Sequence, residues 1–145
     1  MGKYYPPVGF HFKVEIEGLS GDSEMRFSEV SGLSVELNTE EFAEGGENRF
    51  VQKYPTRSKY PDLVLKRGLL VGSDVHNWIH KCVDTHTVTP KIIFVKLLNE
   101  NHQPLLTWRL VGAYPTKWSV GDFNATNNAV VIETLQFYYQ YFTLI

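Results

Sequence analysis

His76 and His80 stand one helical turn apart, and Cys82 and His86 follow them. Imidazole and thiolate are the ligands that zinc takes, so the spacing raises the question of a metal centre. The surrounding pattern argues against one. Val75, Trp78, Ile79, Cys82 and Val83 fall at i, i+3, i+4, i+7 and i+8, the repeat of a single buried helix face. Cys82 lies on that stripe and both histidines lie off it, with no CxxC and no evident fourth ligand. The expectation is a solvated histidine face and a small core thiol without an activating base. Glu40 and Glu41 form an acid pair, but no apolar pocket stands near them to tune a proton donor. Neither a nucleophile elbow nor a phosphate-binding or dinucleotide-binding glycine loop occurs. The sequence therefore predicts no enzyme, no catalytic, metal or cofactor-binding residue, and no cofactor.

Lys53, Arg57, Lys59, Lys66 and Arg67, interleaved with Tyr54 and Tyr60, have the make-up of a nucleic-acid patch. The whole chain does not support it. Lys and Arg total 14 against 16 Asp and Glu, a net charge of -2, whereas nucleic-acid binders carry a basic excess. Just upstream lie Glu36, Glu40, Glu41, Glu44 and Glu47, so one polar stretch has an acidic limb and then a basic limb. No specific nucleic acid is expected as a partner.

The elements that would position these residues are mostly strands. Aromatics make up 14% of the 145 residues, a bias that suits β-structure. Phe10, Phe12, Val14 and Ile16 alternate with His11, Lys13, Glu15 and Glu17, the period of a half-buried strand. A turn at Gly21-Asp22, a strand through Met25, Phe27 and Val30, a break at Ser31-Gly32 and a strand from Leu33 to Asn38 come next. Residues 42–61 read as a long polar loop turning at Gly45-Gly46. A strand restarts at Leu63, and one helix, capped by Ser73 or Asp74, carries the apolar stripe of Val75 to Val83. Ile92 to Leu97 and Leu105 to Tyr114 read as strands joined at Asn99-Glu100-Asn101, the second ended or bent by Pro115. The last strand, 128–142, has apolar residues on both faces: Ala129, Val131, Leu135, Phe137, Tyr139 and Tyr141 on one, and Val130, Ile132, Tyr138 and Phe142 on the other. A strand apolar on both faces needs cover on both, from its own domain or from a neighbour; Tyr138 and Phe142 are expected to meet a neighbouring subunit. One domain, 1–145, is predicted: mainly β, an antiparallel barrel or sandwich with one flanking helix and an extended loop. Met1-Gly2-Lys3-Tyr4-Tyr5-Pro6-Pro7 has no signal-peptide character and no apolar run is long enough to span a bilayer. Synthesis and assembly in the cytoplasm, without direct membrane insertion, are expected.

In order and spacing, six segments resemble the tail tube proteins of contractile phages and of related injection systems, including extracellular ones. They are YPPVGFHFKVEI (5–16), FSEVSGL (27–33), EGGEN (44–48), LKRGL (65–69), Trp108 with AYPTKW (113–118), and VIETL (131–135). The resemblance implies a barrel protomer that joins itself in hexameric rings, stacked into a tube around a channel. Partners would be the sheath, the spike or baseplate and other tube proteins, with possible cargo in the lumen. Sheath contraction would drive the tube through a target envelope, and the mature protein would reside in the particle, released from the cell in extracellular systems. A specialised ring near the spike is an alternative position. The loop would reach the adjacent ring, making Glu44, Gly45, Gly46, Glu47, Asn48, Lys53, Tyr54, Arg57, Lys59 and Tyr60 its stacking residues and its two charged limbs the device that sets register. The first strand's polar face would line the lumen or the outer surface. The competing reading is a monomeric β-barrel ligand-binding module.

Overall fold

A computed structural model describes residues 11–19, 26–42, 52–69, 72–121 and 131–145. The expectations for Phe10, Gly21-Asp22, Met25, Glu44 to Asn48, Ala129 and Val130 lie outside these residues. The elements are β1 (His11–Ile16), β2 (Arg26–Phe27), β3 (Glu29–Ser31), β4 (Glu36–Phe42), β5 (Gln52–Lys59), β6 (Leu63–Gly68), α1 (Asp74–Asp84), β7 (Lys91–Leu98), β8 (Pro104–Val120), β9 (Ile132–Tyr138) and β10 (Tyr141–Leu144).

Eight strands form one antiparallel sheet in the order β2-β1-β7-β8-β9-β6-β3, with β10 paired to β8. The two ends of that order are neighbours in the chain: β2 and β3 are separated by Ser28 alone. Ser28 N–H donates to the Lys66 carbonyl at 2.9 Å, β2 pairs with β1 and β3 pairs with β6. The expected single strand through Phe27 and Val30 is thus two short ladders, and it closes the sheet into a barrel. β8 makes this closure possible. Its first half pairs with β7 and β10, its second half with β9. Between them Gly112 takes φ 68°, and a Cβ there would meet Gln140 at 2.8 Å. Pro115 bends the strand without ending it, at a register shift against β9.

Period-two alternation sends Val14 and Ile16, Leu63 and Leu65, Ile93 and Val95, and Leu135 and Phe137 into one core. Helix α1 adds Val75, Trp78, Ile79 and Cys82 to it, with Trp78 stacked on Phe137 at 5.7 Å between centroids. Ser73 is the N-cap, its Oγ accepting from His76 N–H. Val83 departs from the expected stripe and is exposed, because the stripe is narrower than the run of apolar residues.

Further expectations are corrected. The long polar loop is in large part a two-stranded antiparallel ribbon: β4 runs on to Phe42 and pairs with β5. Of the strand expected from Leu33 to Asn38, residues 33–35 precede β4, and Val35 and Leu37 are exposed at 52% and 55%; β4 pairs with β5 outside the barrel sheet. The last strand breaks at Gln140 into β9 and β10. The break resets the parity of residues 141–144: Leu135, Phe137 and Tyr139 point inward as expected, but Tyr141 is exposed. Phe142 does not share the face of exposed Tyr138; it packs on the core side against Tyr60 and Tyr139.

Tyr139 also holds the backbone at Gly32. Its hydroxyl donates to the Gly32 carbonyl at 3.0 Å, and Gly32, at φ 93°, approaches the Asp62 carbonyl so closely that any Cβ would collide with it. Burial, reinforced by Tyr60 and Asp62, pushes the Tyr139 phenol up to about 12 from 10.0. Above pH ~10 the unfolded chain releases a proton that the folded chain keeps, so stability falls as pH rises from about 10 to 12. Tyr139→Phe is expected to flatten this alkaline decline in a urea-midpoint series. The same variant should lose about 1 kcal/mol at neutral pH with the hydrogen bond.

Candidate functional site

The ribbon puts the two charged limbs opposite one another. Its register pairs Glu36 with Lys59, Glu40 with Tyr54 and Glu41 with Lys53, and an irregularity between Leu37 and Thr39 sets two β5 residues, Thr56 and Arg57, against Asn38 alone. Opposite charges facing across an antiparallel ladder favour that register over a slipped one. Lys53, Tyr54, Arg57 and Lys59 are exposed along β5. Tyr60 is set apart from them: it sits at the ribbon's base, half-buried, with its ring 5.1 Å from Phe142 and 5.9 Å from Tyr139. Glu44, Gly45, Gly46, Glu47 and Asn48 lie outside the described residues.

The basic cluster seen in the sequence does not form one surface. Lys66 turns outward toward Glu29 at 3.8 Å, whereas Arg67 is 3% exposed. Strand alternation explains the difference, since residues 63, 65 and 67 of β6 all point inward. Directly across the ladder on β9 stands Glu133, which is wholly buried. Arg67 Nε donates to Glu133 Oε2 at 3.3 Å, and Arg67 Nη2 donates to Ser73 Oγ at 3.3 Å. Glu133 Oε1 lies 2.7 Å from His76 Nε2 and accepts from Trp118 Nε1 at 3.1 Å. A hydrogen on Nε2 of His76 makes that short contact a bond.

The expectation of a solvated histidine face thus fails at His76 and holds at His80. The His76 ring is 15% exposed and tied to the core carboxylate, while His80 is open to solvent beside Asp84. Ring placement decides this: His76, in the first helical turn, faces β9, and His80 is one turn further from it. Cys82 is buried on the stripe. Trp118 is 45% exposed, with its indole nitrogen fixed inward on Glu133. It stands in a cleft of about 420 Å³ between α1 and β8, walled by Ile79, Val83 and Pro115.

Sequence reasoning missed Glu133 altogether, and a signal for it existed. Inward positions 63, 65 and 67 and 133, 135 and 137 are apolar except at Arg67 and Glu133, one charge of each sign on two strands.

The described residues form a closed antiparallel barrel with a helix over its core and a ribbon standing off it. The chain belongs to the family of the T4-like virus tail tube protein gp19, which matches residues 8–143. Its structure is similar to a chain of the anti-feeding prophage baseplate, solved with 6-fold symmetry, at 27% identity and a TM-score of 0.83, covering 100% of this chain and 97% of that one. A chain of the PVC extracellular contractile injection system's extended sheath-tube complex is 25% identical with a TM-score of 0.79, covering 99% and 93%. Hcp1 from Flavobacterium johnsoniae, 14% identical with a TM-score of 0.55 over 92% and 94%, shares the fold. Among curated proteins none matches. The protein is a tail tube subunit of the contractile-injection type, with a structural role.

Removing one partner of a buried ion pair strands the other. Glu133→Leu is therefore expected to destabilise the fold by about 3–5 kcal/mol in urea unfolding. Adding Arg67→Met to it should recover most of that loss, because no buried charge then remains unpaired.

Proposed function

We propose that this chain assembles into hexameric rings that stack into the inner tube of a contractile particle, inside a sheath and on a baseplate. Contraction of the sheath then drives the tube and its spike through a target envelope. Synthesis in the cytoplasm precedes incorporation into the particle, and the lumen is available for cargo. The observation that carries this reading is the agreement along the whole chain, in sequence and fold, with chains of a six-fold symmetrised baseplate and of a sheath-tube complex. The barrel interior supports it too. Fully buried Val14, Leu63, Ile93, Leu110 and Phe137 fill that interior, which counts against a monomeric binder of an internal ligand. No described helix is long and apolar enough to cross a membrane.

The ribbon is the stacking arm in this proposal. Lys53→Glu, Arg57→Glu and Lys59→Glu together should leave the barrel folded and abolish tubes in negative-stain images, with partial rescue by raised salt. The triple change also places like charges across the ribbon, so an exchange variant separates the two effects. Glu36→Lys and Glu41→Lys combined with Lys53→Glu and Lys59→Glu restores opposition within each ribbon. If the acidic limb of one ring meets the basic limb of the next, this variant stacks with itself and fails to co-assemble with the parent chain. Free co-assembly would remove the ribbon's charges from the contact.

β10 has β8 as its strand neighbour among the described residues, and Tyr138, Tyr141 and Leu144 are exposed around it. A free edge beside apolar side chains is where a sheet continues into a neighbour. Tyr138→Ser is expected to give a folded protein that sediments without rings. Phe142→Ser, by contrast, should cost about 2–3 kcal/mol of stability, somewhat below the cost of truncating a fully buried Phe.

A further inference from the structure

Where the β7–β8 turn folds back beside the start of β1, two imidazoles meet. His11 Nε2 and His102 Nδ1 are 2.9 Å apart, and the rings stand nearly edge to face, 4.8 Å between centroids. Both are held by backbone. His11 lies in the β1 ladder opposite Leu98. His102 occupies the left-handed region at φ 62°, in a turn braced by Asn99. Asn99 Oδ1 accepts from Asn101 N–H and Gln103 N–H, each at 2.9 Å, and the Asn99 carbonyl accepts from His102 N–H at 3.0 Å.

At this distance one ring's N–H donates to the bare nitrogen of the other, and a metal ion can take the place of that hydrogen between the two nitrogens. We propose that the pair binds a divalent transition-metal ion through His11 Nε2 and His102 Nδ1, with water completing the coordination. Metal–nitrogen bonds of about 2.0–2.1 Å place two nitrogens about 2.9 Å apart at a right angle and about 3.3 Å apart in a tetrahedron. The observed spacing fits the right angle, the arrangement that Cu(II) or Ni(II) prefers. Among the described residues no group of three or more His, Cys, Asp or Glu side chains gathers anywhere. The site is thus a two-ligand surface clip, weaker than a structural zinc centre, and it would staple the first described strand to a turn about 91 residues further along.

The test is calorimetric titration of the purified full chain with Cu(II) alone, with electron paramagnetic resonance on the product. One ion per chain is expected, with hyperfine structure from two nitrogens. His102→Ala and His11→Ala should each lower the affinity at least tenfold, whereas His80→Ala, which removes an exposed helix histidine, should not. His102 is exposed in a turn, so its variant remains informative if His11→Ala disturbs β1. Absence of saturable binding, unchanged affinity in His102→Ala, or an equal loss in His80→Ala would each overturn the site.

Discussion

The Glu133 carboxylate is the interaction on which the rest of this structure hangs. It is wholly buried on β9, and its partners come from three other elements: Arg67 from β6, His76 from α1 and Trp118 from the far half of β8. A charge in that position is tolerable only when fully bonded. Every partner must therefore be in place at once. The cluster fixes the pairing of β6 with β9, the angle at which the helix docks and the path of β8 after its bend. Apolar packing alone tolerates small slides between these elements, but a hydrogen-bonded carboxylate does not.

That constraint suits a subunit whose task is to keep its shape. The outward half of the barrel is polar and mixed: Glu15 lies between Lys96, at 3.0 Å, and Lys13, at 3.8 Å, which relieves the like charges that β1 and β7 set opposite one another. Such exposed pairs contribute little to stability. Their effect is on register and solubility, and the energy of the fold resides in the apolar core.

Much of this architecture could be read in advance. The alternation of Phe12, Val14 and Ile16, the stripe from Val75 to Cys82 and the Ser73 cap each belong to a local period, and local periods survive folding. The failures have a common cause in long-range pairing. Phe142 changed face because Tyr139 and Gln140, at the β9–β10 break, reset the strand's parity. The 42–61 stretch reads as a loop because a ribbon exposed along residues 36–41 and 53–59 has no apolar alternation there to display. Lys66 and Arg67 looked like one basic pair, whereas adjacent strand positions face opposite ways. Glu133 breaks the apolar run of its strand face, but only the β6–β9 pairing shows that Arg67 answers it.

The barrel has a seam. β2 and β3 contribute ladders of two and three residues, where the other ladders of the sheet run to four or more, and short ladders are the first to open in local fluctuations. Phe27 sits on that seam, and the Arg67 guanidinium lies over its ring at 4.8 Å. The same arginine that neutralises the buried carboxylate thus latches the closure, and the two functions share one side chain. A hoop closed by such short ladders is thus tied to its interior by a side chain as well as by its few seam hydrogen bonds.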